Sequence, residues 1–175
     1  MKQILFCLCI IMTLLACNQQ EKTAENKESK AASSVTLPYT AEYTSNWSDD
    51  VSDEDLAMVL TTYKHWSEGN LDGLAASMAD TVELNMASGT HGNYSNADLK
   101  KMWGLYRDSL SKIEIKMETW RKMHAVDKKE SYVVTWYKEY DTYKDGRIDS
   151  AEYHDINMIK DGKIKWYSTF KQPLK

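Results

Sequence analysis

The sequence predicts an α+β domain in which three helices cover one face of a curved antiparallel sheet. Hydrophobic residues recur with a period of about 3.6 from residue 52 to residue 110, and with a period of about two from there to residue 171. Turn-forming sequences at Asp127–Glu130, Lys144–Gly146 and Asp161–Gly162 divide the second region into four segments. Helices followed by an antiparallel meander are typical of this class.

The helical half shows clear start and stop signals. Ser52 is a good N-cap residue, and Gly69-Asn70 is a typical stop, so the first helix is predicted between them. A second helix is predicted over Leu71–Met78. This helix is followed by a predicted strand over Thr81–Met86, a turn-rich connection over Ser88–Asn93, and a third helix capped by Ser95.

The second half alternates between apolar and polar residues as strands do. The four predicted strands are Lys112–Val126, Ser131–Tyr143, Arg147–Lys160 and Lys163–Lys171.

The N-terminus reads as a secretion signal. Met1 and Lys2 precede an apolar run, Ile4–Leu15, which is shorter than the ~20 residues of a membrane-spanning helix. The run ends in Leu14-Leu15-Ala16-Cys17, which resembles a bacterial lipobox. We therefore expect residues 1–16 to be a lipoprotein signal peptide and Cys17 to be the lipid attachment site. An ordinary signal peptide or a short anchor is the alternative.

This N-terminus predicts a lipid-anchored protein of the bacterial cell envelope, periplasmic or surface-exposed, whose lipid binds the membrane. Residues 17–34 contain no aromatic or large aliphatic side chain and are expected to form a flexible tether. Residues 35–51 carry Tyr39, Tyr43 and Trp47 and are expected to form an arm that lies on the domain. The domain itself is expected over residues 52–175.

Composition argues against several functions. The formal charge of −4 and a pI near 5.6 offer no basic surface for a phosphate backbone, so no nucleic-acid partner is expected. Cys7 and Cys9 lie in the removed segment and Cys17 would be lipidated, which leaves no thiol for a metal or a disulfide. No pair of histidines has ligand spacing, and we expect neither a metal nor a cofactor.

A calcium site is the sharpest alternative in the sequence. Asp141–Glu152 nearly matches the EF-hand loop, but Tyr143 occupies its third position, where an oxygen ligand belongs. The flanking residues also look like strands rather than helices. A hairpin whose turn centres on Asp145-Gly146 is the preferred interpretation.

The predicted elements from Ser52 to Pro173 follow the order helix, short helix, strand, helix and four long strands. This order, together with the stretch Asp155–Ile164 and its Asp-Gly turn, resembles the SnoaL-like polyketide cyclases of the nuclear transport factor 2-like superfamily. The Gln172-Pro173 ending is also similar to theirs. The resemblance implies a cone-shaped sheet and a homodimer formed through its outer face. It also implies that Asp155 is the general acid/base of an open pocket. Thr169 stands where the cyclases tend to carry an acidic residue.

His154 and Asp155 are neighbours on one strand, so their side chains must project to opposite faces. The apolar pattern alone slightly favours an inward face of His154, Ile156 and Met158. The resemblance favours an inward Asp155 and Asn157, and we follow it. Either residue could instead be a polar group of the sheet surface or of a dimer interface.

Aromatic pairs on two helices complete the candidate site. Trp66 and Tyr106 each lie three residues from a second aromatic, and such stripes form either a cavity wall or plain core. The expected ligand-binding residues are Tyr63, Trp66, Trp103, Tyr106 and Asn157. The sequence thus predicts a domain that binds a small, mostly apolar ligand, with acid/base catalysis by Asp155 as an open question. A non-catalytic binding or assembly domain of the envelope is the alternative.

Overall fold

The structure, a computed structural model, describes residues 36–174. The expected signal peptide, Cys17 and the tether lie outside the described residues. Residues 36–39 belong to a separate unit, and residues 40–174 belong to the folded domain. No helix in the described part of the chain is long and apolar enough to cross a membrane.

Three helices precede the long strands, as predicted. Helix α1 (Asp53–Glu68) begins where the Ser52 side chain accepts a hydrogen bond from the backbone of Asp55, and it ends at Gly69, whose φ of 72° suits glycine. Helix α2 (Leu71–Ala76) ends two residues before the predicted Met78, because Met78 already pairs with the sheet. Helix α3 (Asn96–Arg107) is capped by Ser95.

The strands of the described residues form one seven-stranded sheet in the order β1-β4-β5-β6-β7-β2-β3. All neighbours are antiparallel except β2 and β7, which run parallel. The strands are β1 (Trp47–Ser48), β2 (Met78–Asn85), β3 (His91–Ser95), β4 (Leu110–Ala125), β5 (Glu130–Tyr143), β6 (Ile148–Lys160) and β7 (Lys163–Pro173). The predicted α+β class, three helices followed by a curved and mostly antiparallel sheet, is confirmed.

One predicted connection is wrong in its second half. The turn-rich segment Ser88–Asn93 was expected to lack structure, but His91–Ser95 forms β3 and pairs with β2. Five residues that alternate between exposed and half-buried positions carry too little apolar signal to show a strand in the sequence. The strand exists because β2 offers it a free edge.

The core lies between the helices and the inner face of the sheet. Val59 of α1 and Leu99 of α3 are fully buried there, together with Val82, Val133 and Ile164 from the strands. The helices do not cover the whole inner face with aliphatic side chains. The space that remains between the helices and the sheet is the cavity described in the next subsection.

The calcium-loop alternative does not match the structure. Residues 141–143 continue β5, and β6 begins at Ile148, so strands flank the loop on both sides. Gly146 has a φ of 88°, as a tight hairpin turn requires. The segment is therefore a hairpin.

The described part of the N-terminal arm that belongs to the domain packs on β4 and β5. Trp47 pairs with Ala125 in the sheet. The Tyr43 hydroxyl lies 2.8 Å from that of Tyr132 and donates a hydrogen bond to Glu130.

Candidate active site

Alternation along β6 decides which side chains enter the domain. Asp155 and Asn157 are fully buried and reach Tyr63 of α1, so they point towards the helices. His154 points to the other face, where its ring stacks on Trp136 with centroids 4.7 Å apart. The inward face is therefore the one that the family resemblance implied, and not the one that the apolar pattern alone favoured.

A cavity of about 420 Å³ lies between the helices and the inner face of the sheet. Apolar and aromatic side chains make most of its wall. Its aromatic lining residues are Tyr63, Trp66, Trp103, Tyr106, Tyr137, Tyr153 and Tyr167. All five residues expected to bind a ligand, Tyr63, Trp66, Trp103, Tyr106 and Asn157, line this one cavity.

Asp155 lies behind the cavity wall rather than on it. Three tyrosine hydroxyls donate hydrogen bonds to its Oδ2: Tyr63 at 3.0 Å, Tyr137 at 3.0 Å and Tyr167 at 2.9 Å. These tyrosines come from α1, β5 and β7, and all three line the cavity. Within residues 36–174 the Oδ1 of Asp155 has no hydrogen-bond partner. The carboxyl group of Asp155 therefore contacts the tyrosines that line the cavity, and is not itself part of the lining.

Burial sets the proton affinities of this cluster. Desolvation raises the pKa of Asp155 above its ordinary value, and the hydroxyl groups of Thr169 and of the three tyrosines oppose the rise because they stabilise the carboxylate. Desolvation and the charge of Asp155 raise the pKa of Tyr63 and of Tyr137 well above the usual range. The tyrosines therefore act as hydrogen-bond donors and not as bases at neutral pH.

Asn157 is held in a fixed orientation beside this cluster. Its Nδ2 donates to the backbone oxygen of Val133 at 3.2 Å and to the Tyr63 hydroxyl at 3.3 Å. The Tyr63 hydroxyl also lies 2.6 Å from Oγ1 of Thr135. The side chain is therefore locked as part of the polar floor of the cavity.

Glu139, which the sequence analysis missed, is the carboxyl group that lines the cavity itself. The indole Nε1 of Trp66 donates a 3.2 Å hydrogen bond to its Oε2. Burial and, to a smaller extent, the charges of Asp141 and Asp155 raise the pKa of Glu139 to about 8, and the hydrogen bond from Trp66 opposes them. At neutral pH this carboxyl group is mostly protonated.

A third carboxyl group stands one step further along β5. Asp141 is buried and accepts a 2.9 Å hydrogen bond from the Tyr106 hydroxyl. Burial raises its pKa above the ordinary value. The inner face of the sheet therefore carries Asp141, Glu139 and Asp155 within a few residue steps.

A period-two reading of β5 would have found Glu139. Val133 and Tyr137 are apolar and buried, and residues on the same face follow at intervals of two, which brings Thr135, Glu139 and Asp141 inward. Glu139 was missed because the alternation was not followed to the end of this strand.

The histidines do not take part in the cavity lining. No group of three or more His, Cys, Asp or Glu side chains in residues 36–174 has the geometry to hold a metal ion.

Comparison with known proteins supports the fold. No protein-family model matches the chain, and no curated protein matches it. Solved structures do match. A LEH-like epoxide hydrolase from M. tuberculosis aligns with a TM-score of 0.58 and 10% identity over 68% of this chain and 83% of its own.

Two further structures align equally well. AusH from Aspergillus nidulans has a TM-score of 0.57 and 14% identity, over 71% of this chain and 88% of its own. A candidate SnoaL-like polyketide cyclase from Jannaschia sp. CCS1 has a TM-score of 0.57 and 12% identity, over 70% of this chain and 90% of its own. The domain has the nuclear transport factor 2-like fold, shared at low identity with SnoaL-like cyclases and epoxide hydrolases.

Proposed function

We propose that this domain binds a small, mostly apolar molecule in the cavity and carries out acid/base chemistry on it. The observation that carries the proposal is a cavity of about 420 Å³ with aromatic walls, the buried carboxyl group of Glu139 in its lining and that of Asp155 directly behind it. Cavities of this size and lining suit small organic ligands. Carboxyl groups whose pKa is raised by burial can exchange protons near neutral pH.

Asp155 is the proposed proton acceptor. It lies 3.0 Å from the hydroxyls of Tyr63 and Tyr137, which line the cavity and can pass a hydrogen-bonded proton between ligand and carboxylate. Asn157 or one of these tyrosines would polarise a carbonyl group of the ligand. The proteins with the same fold include an epoxide hydrolase and a candidate cyclase, and this agrees with small-molecule chemistry.

A specific observation favours the alternative, a non-catalytic binding domain. Three tyrosine donors already occupy Oδ2 of Asp155, and the residue does not itself line the cavity. In that case the cluster is a polar clamp that ties α1, β5 and β7 together.

We also propose that the domain is displayed at the bacterial cell envelope by a lipid on Cys17, on the evidence of the Leu14–Cys17 sequence alone. The outer face of the sheet is the proposed homodimer surface. It carries Trp136, His154 and a largely exposed Phe170, and the buried Nε2 of His154 lacks a hydrogen-bond partner within the described residues.

Ligand binding is tested with Nile red, a neutral dye that fluoresces in apolar surroundings. Wild-type protein should give a saturable increase in fluorescence. Met102→Trp on the cavity side of α3 should fill the cavity and weaken binding, whereas Leu105→Trp on the same helix, at a position 69% exposed, should not. Equal binding by both variants would place the dye elsewhere and contradict the proposal.

Catalysis is tested by exchange of the α-protons of 1-indanone in D₂O, followed by NMR. The wild type should exchange them faster than buffer, and Asp155→Asn should fall to the buffer rate while its near-UV circular dichroism stays unchanged. Wild-type exchange in this variant would remove Asp155 from the mechanism. No exchange by the wild type, with Nile red still bound, would favour the non-catalytic alternative.

A further inference from the structure

The acidic and the basic side chain of the cavity lining differ in their partners. Glu139 and Lys171 are the acidic and the basic side chain in its lining, and the buried Asp141 and Asp155 lie on the same sheet face behind that lining. Lys171 is already engaged, because its Nζ forms a 2.9 Å ion pair with Asp149 and lies 5.6 Å from the centre of the Tyr153 ring. Within residues 36–174, Lys171 therefore has an ion-pair partner, whereas Glu139 has none.

Glu139 is the group that a ligand can reach directly. It lines the cavity, is only 7% exposed, and forms no ion pair within residues 36–174. Trp66 satisfies Oε2 and leaves Oε1 for another donor. An ionised carboxylate is costly to bury without a cationic partner, and the described residues supply no ion-pair partner to Glu139, so its protonated form is favoured.

The rest of the cavity wall is made of a hydroxyl group and apolar and aromatic side chains. Thr169 is 6% exposed and places its hydroxyl group in the cavity lining. The aromatic residues of the wall add the ring surfaces on which organic cations bind favourably.

We infer that the cavity selects a small organic cation, an ammonium group carried on an apolar body, with Glu139 as its counter-ion. The inference rests on the proposed binding function and names the class of ligand. The aromatic wall takes the apolar body, and the cation provides the partner that Glu139 lacks.

Proton affinities agree with this assignment. The pKa of Glu139 is about 8 because burial and the charges of Asp141 and Asp155 disfavour its ionised form, while Lys171 opposes them weakly. A bound cation reverses this preference, so Glu139 releases its proton to the solvent as the ligand enters. Affinity for a permanent cation therefore increases as pH rises from 6 to 9.

The test compares two molecules of nearly the same shape. Benzyltrimethylammonium is permanently charged, and neopentylbenzene replaces its nitrogen by carbon. Displacement of Nile red measures both. We expect the wild type to bind the cation about tenfold more tightly than the neutral molecule at pH 8.

Two glutamine variants assign the preference to Glu139. Glu139→Gln should bind the two molecules to within about threefold of each other and lose the pH dependence. Glu152→Gln removes a carboxylate that pairs with Lys138, and should keep both. Retained binding of neopentylbenzene by Glu139→Gln serves as evidence that this variant is folded.

The outcomes separate the inference from the proposed function. If Nile red binds but the cation binds no more tightly than its neutral counterpart, the inference fails and the binding function stands. If Glu139→Gln keeps the full preference for the cation, the assignment of the counter-ion is wrong. If the wild type binds neither the dye nor the two molecules, the proposed function fails and the inference fails with it.

Discussion

The indole Nε1 of Trp66 on α1 donates a 3.2 Å hydrogen bond to the Glu139 carboxyl group on β5, and both residues line the cavity. The contact fixes the position of the acid that lines the cavity. It also links α1 to the part of β5 that carries Glu139 and Asp141. A change in one partner should therefore be visible in the chemistry of the other.

Trp66→Phe should raise the pKa of Glu139 above its present value of about 8. The indole N–H stabilises the carboxylate, and phenylalanine fills most of the same volume without a donor. NMR titration of ¹³C-labelled glutamate side chains measures the change. Trp136→Phe is the control, because Trp136 stacks on His154 at the other face of the sheet. An unchanged or lower pKa in Trp66→Phe would contradict the role of this bond.

Glu139→Gln should alter how stability depends on pH. The pKa of Glu139 is about 8 in the folded protein and lies near 4.5 for a free side chain. Between these values the folded state holds a proton that the unfolded state releases, so stability falls as pH rises, by up to about 1.4 kcal/mol per pH unit.

The difference between wild type and Glu139→Gln isolates this contribution from other titrating groups. Urea unfolding at pH 5, 6.5 and 8 should show that the variant gains stability relative to the wild type at each step. A constant difference across this range would mean that Glu139 is ionised in the folded protein.

Helix α3 provides a matched pair for testing the core. Leu99 is fully buried, whereas Leu105 on the same helix is 69% exposed. Leu99→Ala should lower the free energy of unfolding by about 2–5 kcal/mol, and Leu105→Ala by less than about 0.5 kcal/mol. Urea denaturation of both variants measures the difference. Similar costs at the two positions would contradict the packing of α3 on the sheet.

Much of the fold could be predicted because its signals are local. Ser52 and Ser95 cap their helices, and the hairpin at Gly146 follows from its Asp-Gly sequence. Strand β3 and the parallel pairing of β2 with β7 could not be predicted, because each depends on a partner distant in the chain. Short strands with little apolar signal are specified by the edge they join.

The site was predicted unevenly for a similar reason. The residues expected to bind a ligand do line one cavity, because helical spacing and strand alternation fix which side chains share a face. The three tyrosines around Asp155 come from three different elements, so no local pattern brings them together. Alternation along β5 did contain the signal for Glu139, at a register that Tyr137 sets.

Cys17→Ser should release the protein from the membrane if the lipid anchor exists. A thioether-linked lipid requires the cysteine sulfur, and serine cannot replace it. Expression in a bacterial host with labelled palmitate should label the wild type and not the variant. Fractionation should then move the variant out of the membrane pellet. A labelled variant, or an unlabelled wild type, would favour an ordinary signal peptide or a short anchor.

Tyr137 and Asp155 should be energetically coupled. The Tyr137 hydroxyl donates a 3.0 Å hydrogen bond to the buried carboxyl group, and a bond to a charged acceptor contributes about 1.5–3 kcal/mol. Tyr137→Phe should therefore destabilise the wild type by about that amount. In the Asp155→Asn background the cost should be smaller, because the amide is a neutral acceptor. Urea unfolding of the four proteins gives a coupling energy of about 1 kcal/mol or more.

Tyr106→Phe provides the control for this cycle, because Tyr106 donates to Asp141 and not to Asp155. Its cost should be the same in both backgrounds. Equal costs for Tyr137→Phe in both backgrounds would show that the ionised carboxylate adds nothing to this bond, and that Asp155 is held as a neutral acid. A neutral Asp155 would donate its own proton to the cluster, and its proposed role as proton acceptor would then be lost at that pH.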